Sequence, residues 1–153
     1  MNTYNLERMF SSDGNPAIEA TCTKMTLRFY RSLDTREHAT VAAMFAPDGT
    51  WHRQGVLLNG PADVLAALEK RSPDRSTAHM LTNVWAEALD PDRARVHYYL
   101  SLREKIAKPG DPVLIRAGGV LYGTDDFVRL ADGWHIQSKS SQPVIPAAET
   151  EKS

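Results

Sequence analysis

The sequence predicts a single α+β domain, and three observations carry that reading. Helical periodicity is confined to the first half of the chain, turn-bounded strand segments fill the second, and no repeat or linker divides the 153 residues. A chain of this length buries roughly 68–70% of its unfolded surface, enough for a core without disulfide or metal staples.

Each element has a local cause. Asn15-Pro16 pairs an N-cap with a proline at the first helical position. From there Ile18, Cys22, Met25, Phe29 and Leu33 recur every three or four residues, giving one apolar face of a helix over Ala17–Leu33, with Arg28, Arg31 and Ser32 away from it. Thr35 is positioned to cap a second, shorter helix whose apolar side is Val41, Met44 and Phe45, and Pro47-Asp48-Gly49 then predicts a turn. A short hairpin follows, Thr50–Arg53 and Val56–Leu58 around Gln54-Gly55. Gly60-Pro61 opens a third helix carrying Val64, Leu65 and Leu68, which ends at Ser72-Pro73-Asp74.

The remainder reads as strands. Thr77–Leu89 and Ala94–Arg103 flank the turn sequence Asp90-Pro91-Asp92-Arg93. Val113–Leu130 is a long strand in which Gly118-Gly119 permits a bulge, and Asp132-Gly133 leads into a last strand, Trp134–Ser140. Strict alternation puts His79, Leu81, Asn83 and Trp85 on one face, and His97, Tyr99, Ser101 and Arg103 on one face of the next strand, opposite Val96, Tyr98, Leu100 and Leu102. Periodicity alone leaves open which faces are internal. The domain spans residues 15–142, with an N-terminal arm at 1–14 and a polar tail at 143–153. A long helix and two short ones against a strongly curved, mostly antiparallel sheet would enclose a conical cavity.

Composition excludes several function classes. Eighteen Lys and Arg against 19 Asp and Glu give a net charge of −1, which offers no electrostatic footprint for nucleic acid or an anionic membrane. No apolar run approaches the roughly 18 residues of a membrane span. One cysteine, Cys22, on an apolar helix face suits a reducing cytoplasm and reads as a core residue. His38, His52, His97 and His135 show no metal-ligand spacing, and Gly118-Gly119 lacks the lysine and helix of a phosphate loop, so neither metal nor another cofactor is expected.

The segments FYRSLDTREHATVAAMFAPDGTWHRQGVLLNGPADVLAAL, STAHMLTNVW and DDFVRLADGWHI, in that order, resemble the nuclear transport factor 2-like superfamily. Within it, the likeness is to the SnoaL-like branch that includes scytalone dehydratase and the small subunits of ring-hydroxylating dioxygenases. It extends over Ile18–Ser140 and implies a cone-shaped α+β barrel with a deep pocket. The fold hosts dehydratases, isomerases, cyclases and non-catalytic subunits, so it implies less about activity.

Carried over residue by residue, Asp34 matches the dehydratase's aspartate at the end of the first helix, and His79 its first pocket histidine. Leu33 stands where that family has a tyrosine, and no second histidine falls at its partner's place, where Arg103 or Glu104 lies instead. Against the ketosteroid isomerases, Phe29 replaces the helix tyrosine and Arg53 the base aspartate. Asp34 and His79 are therefore the catalytic candidates, since an imidazole of ordinary pKa near 6.5 suits proton abstraction and a carboxylate on its other nitrogen fixes the tautomer. Phe29, Tyr30, Trp51, Arg53, Tyr99 and Asp125 are the substrate-binding candidates. Arg53 offers a fixed cation, Trp51 an apolar wall and Tyr99 a hydroxyl donor. Alternation allows only one of Asp125 and Asp126 to face the interior.

The function this implies is cofactor-independent lyase or isomerase chemistry, polyketide cyclisation included, on a hydrophobic carbonyl-bearing ring compound. The alternative is a non-catalytic ligand-binding or accessory subunit. Low net charge and an apolar outer sheet face predict self-association, as a two-fold homodimer or a higher homo-oligomer.

Overall fold

The computed structural model describes residues 14–147; the N-terminal arm before Gly14 and most of the polar tail lie outside them. Helix α1 (Pro16–Asp34) starts where the caps place it, with the Asn15 side chain accepting from the Ile18 N–H at 3.2 Å. Its inner face is that of the sequence pattern, with Cys22 and Phe29 fully buried, and burial pushes the Cys22 thiol up to about 12. Ser32, expected outside, is buried and donates to Glu37. Helix α2 (His38–Ala43) is shorter than the pattern implies and is not capped by Thr35. Thr35 instead closes α1, its N–H donating to Arg31 O at 3.0 Å. The following Arg36 takes φ 63°, the left-handed conformation that ends a helix, and its guanidinium donates to the carbonyls of Arg71, Ser72 and Arg75.

Strand β1 (Phe45–Arg53) runs through Pro47-Asp48-Gly49, which makes a bulge where a turn was expected. Tertiary pairing overrides the local signal here: a Cβ at Gly49 would sit 2.5 Å from Ile136 O of the neighbouring strand. The hairpin to β2 (Val56–Asn59) turns at Gln54-Gly55 with φ 51° and 79°, the two positive values of a tight two-residue turn. Helix α3 (Gly60–Glu69) buries Val64 and Leu68.

Four long strands complete the sheet: β3 (Arg75–Asp90), β4 (Arg93–Ile106), β5 (Leu114–Leu130) and β6 (Gly133–Ile145). The order is β2-β1-β6-β5-β4-β3, with β1 parallel to β6 and every other pair antiparallel. The fold is α+β, with three helices on a curved six-stranded mixed sheet among the described residues. Among the described residues no helix is long and apolar enough to cross a membrane.

Three bulges decide which side chains face α1. At Gly118-Gly119, two residues of β5 oppose Leu102 alone, as the paired glycines predict. A Cβ on Gly119 would lie 2.2 Å from Ile145 O. On β3, Asn83 and Val84 together oppose Tyr98, and Asn83 takes φ 53°. The parity of the strand therefore flips: His79 and Leu81 point inward before the bulge, Val84 and Ala86 after it. Asn83 and Trp85 thus do not share the His79 face, and Trp85 stacks on His97 at 4.0 Å on the outer side. On β6, Gln137 is the extra residue between the Asp126–Ser138 and Phe127–Ile136 pairs, which turns both Ile136 and Lys139 inward.

Candidate functional site

Asp34 ends α1 just as the chain leaves the helix, and β3 passes directly beneath it. Thr77 and His79, two residues apart on that strand, share the inward face. The His79 backbone N–H donates to Asp34 Oδ2 at 2.8 Å, the Thr77 hydroxyl donates to Oδ1 at 2.7 Å, and His79 Nδ1 lies 2.6 Å from Oδ1. A carboxylate only accepts, so Nδ1 carries the proton and Nε2 presents its lone pair. Among the described residues Nε2 has no hydrogen-bond partner. Burial pulls the His79 pKa below its ordinary 6.5; the hydrogen bond and charge of Asp34 oppose the shift, and Arg71 and Arg75 add to it. The ring is neutral at pH 7.

The dyad is held from behind by Arg71, only 9% exposed, which the sequence reading missed. Its Nη1 donates to Leu33 O at 2.8 Å and its Nη2 to the Thr77 hydroxyl at 2.9 Å. No periodicity marks Arg71, whereas Thr77 was available from its two-residue offset from His79. Tyr30 lies on the other side, its ring centroid 5.1 Å from that of His79. Its hydroxyl is engaged by Tyr98 at 3.0 Å, and burial raises its pKa far above the ordinary range.

Beyond Tyr30 is a second polar cluster built around Asp125, which is fully buried. Lys139 Nζ lies 2.7 and 2.8 Å from its two oxygens, Tyr98 OH donates to Oδ1 at 2.8 Å, and Thr26 Oγ1 donates to Oδ2 at 2.8 Å. The third Lys139 proton goes to Tyr98 OH at 3.0 Å, and the ammonium sits 4.1 Å from the Phe29 ring centroid and 4.4 Å from that of Tyr30. Burial lowers the Lys139 pKa against the pull of Asp125.

The other candidates separate by location. Phe29 and Trp51 are core residues in edge-to-face contact at 5.3 Å. Arg53 lies over the Trp51 ring, 5.4 Å from its centroid. Asp125 faces the interior, the one of the two acids that alternation allowed there, but it belongs to the saturated Lys139 cluster and offers no free oxygen to a ligand. Asp126 faces out and pairs with Arg95. Tyr99 is a correction: it is 36% exposed on the outer sheet face against Tyr122, and its neighbour Tyr98 is the internal tyrosine. Among the described residues, no group of three or more His, Cys, Asp or Glu side chains is arranged to hold a metal.

The model of the SnoaL-like domain matches residues 17–140. The chain belongs to the SnoaL-like domain family, within the nuclear transport factor 2-like superfamily. Solved structures of SnoaL-like shape include ActVI-ORFA from Streptomyces coelicolor, at 20% identity over 82% of this chain and 96% of that one, with a TM-score of 0.67. A Catenulispora acidiphila protein in complex with S-DNPA matches at 21% identity over 81% and 91%, with a TM-score of 0.66. A Novosphingobium aromaticivorans protein provisionally assigned as a scytalone dehydratase matches at 17% identity over 85% and 91%, with a TM-score of 0.65. At these identities the likeness is one of fold. No curated protein sequence is significantly similar to this SnoaL-like chain.

Proposed function

We propose that this SnoaL-like protein is a cofactor-independent lyase or isomerase, cyclisation included, that moves a proton on a hydrophobic carbonyl-bearing ring compound. The Asp34–His79 hydrogen bond of 2.6 Å is the observation that carries this reading, because it leaves a neutral imidazole with Nε2 open. Nε2 takes the proton from the carbon next to the carbonyl, and the C–H electron pair moves onto the carbonyl oxygen as an enolate. The imidazolium, stabilised by Asp34, then returns its proton to another position, or to a departing hydroxyl that leaves as water. A neighbour of the same fold that holds a small molecule supports a small-molecule ligand. The same proposal includes action in the cytoplasm and a two-fold homodimer through the outer sheet face, where Met80 and Tyr99 are exposed.

The test is α-proton exchange of 2-tetralone in D2O, followed by NMR. Wild type accelerates exchange and His79→Ala loses a factor of about 10²–10⁴; equal rates in the two proteins would sink the reading. A non-catalytic ligand-binding or accessory subunit is the second reading. It draws on the Tyr30 ring packing against His79, with the Tyr98–Lys139 cluster filling the interior beyond Tyr30. It predicts no exchange by either protein.

A further inference from the structure

Between the β1–β2 hairpin and α3 is a cleft of about 420 Å³ lined by Arg53, Gln54, Val56, Leu58, Ala67, Lys70 and Arg71. Three of these side chains are cations and none is an acid. Arg53 and Lys70 form no ion pair among the described residues, and Arg71 Nε is buried without a hydrogen-bond partner. Like charges gathered in one cleft repel one another, and Asp34 behind Arg71 offsets only part of this. Burial first, and then neighbouring cations, lower the proton affinity of both arginines: Arg75 acts on Arg53, and Arg75, Arg36 and Arg53 act on Arg71 against the pull of Asp34. An anion entering the cleft relieves this repulsion.

We infer that the cleft receives the carboxylate of a hydrophobic ring acid, with Arg53 as its principal partner and Val56, Leu58 and Ala67 against the ring. One uncommitted fork beside apolar walls suits a flat, singly charged carboxylate. Arg71 already commits one N–H of each terminal nitrogen to Leu33 O and Thr77, whereas Arg53 makes no hydrogen bond among the described residues and keeps its whole fork for two coplanar oxygens. The volume suits one or two rings, since small-molecule pockets run about 300–1,000 Å³. The cleft also communicates with the dyad through the chain Arg71–Thr77–Asp34–His79. Calling the acid a substrate rests on the proposed proton transfer; that it binds does not.

Calorimetric titration at pH 8 with 2-naphthoate, its neutral isostere 2-naphthamide, and phenyl phosphate tests this. Wild type binds naphthoate at least tenfold more tightly than the amide and than phenyl phosphate. Arg53→Gln abolishes the preference over the amide at an unchanged melting temperature, and Arg53→Lys keeps part of it. Should Arg53→Gln fail to fold, Lys70→Gln is expected to weaken naphthoate alone, by a smaller factor. Equal affinities in wild type, a preference untouched by these variants, or phenyl phosphate binding as tightly as naphthoate would overturn the inference. His79→Ala separates the two proposals. If it keeps the naphthoate preference while no protein catalyses exchange, the carboxylate site stands and the proton transfer falls. If wild type exchanges protons without that preference, the reverse holds.

Discussion

The Asp125–Lys139 and Asp34–His79 pairs lie on either side of Tyr30, both between α1 and the sheet, and they differ in how many of their hydrogen-bonding valences are filled. Asp125 accepts four hydrogen bonds and Lys139 spends all three protons, so the pair is closed and buried. The dyad fills every site on Asp34 that faces the strand but leaves His79 Nε2 open. A saturated ionic pair fixes geometry, whereas a pair with one open lone pair is able to exchange a proton. Burial disfavours the charged form in both, but an ammonium held by a carboxylate on two sides and a tyrosine hydroxyl on the third stays put, and a neutral imidazole is ready to accept.

The largest expected effect comes from breaking the closed pair. Asp125→Ala leaves an unpaired buried ammonium and should cost about 3–5 kcal/mol in denaturant unfolding. The double change Asp125→Leu with Lys139→Met should recover much of that loss, because removing both charges removes the desolvation problem. A double variant no better than Asp125→Ala would mean that the cluster contributes more than charge compensation.

Asp34→Asn should cost less stability, about 1–3 kcal/mol, since an amide offers one acceptor oxygen where three donors converge. Its effect on proton exchange should overlap that of His79→Ala, so that the double variant is no slower than the worse single one. Multiplying defects would break the comparison, because the dyad would then not act as a unit.

The smallest effect is expected at the bridge between the two pairs. Tyr30→Phe deletes one hydrogen bond to Tyr98 while keeping the ring against His79, for about 0.5–1.5 kcal/mol of stability. Exchange activity should change less than tenfold. A loss as large as that of His79→Ala would place the Tyr30 hydroxyl in the chemistry.

Legibility in the sequence followed whether a feature was local. The α1 stripe, its Asn15 cap, the Gln54-Gly55 hairpin, the turn at Asp90–Arg93 and the Gly118-Gly119 bulge all follow from neighbouring residues. Parity did not. Asn83 is an ordinary polar residue in an alternating run, yet its positive φ flips β3, and the extra Gln137 on β6 turns Lys139 into the core. Nothing local distinguishes a lysine that faces water from one aimed at Asp125 on the adjacent strand. Tyr99 was favoured over Tyr98 for the same reason, since alternation ranks neither face as internal until the helix is docked. Asp34 and His79 came from the family resemblance and not from spacing, being 45 positions apart. Arg71 left no trace, because its role is to reach back to the end of a different helix.

The tautomer and titration of His79 test the central claim without any substrate. Nitrogen-15 NMR of the imidazole across pH 4–9 should give an Nδ1-protonated, neutral ring at pH 7. Its midpoint should fall below the ordinary 6.5, because burial outweighs the pull of Asp34. The sign for stability follows: between that midpoint and 6.5 the unfolded chain binds the proton more readily. Folding stability should therefore drop as pH falls through this window and change no further from this group below it. A ring protonated on Nε2 at pH 7, or a midpoint above 6.5, would contradict the account, because the nitrogen assigned to proton transfer would already be occupied.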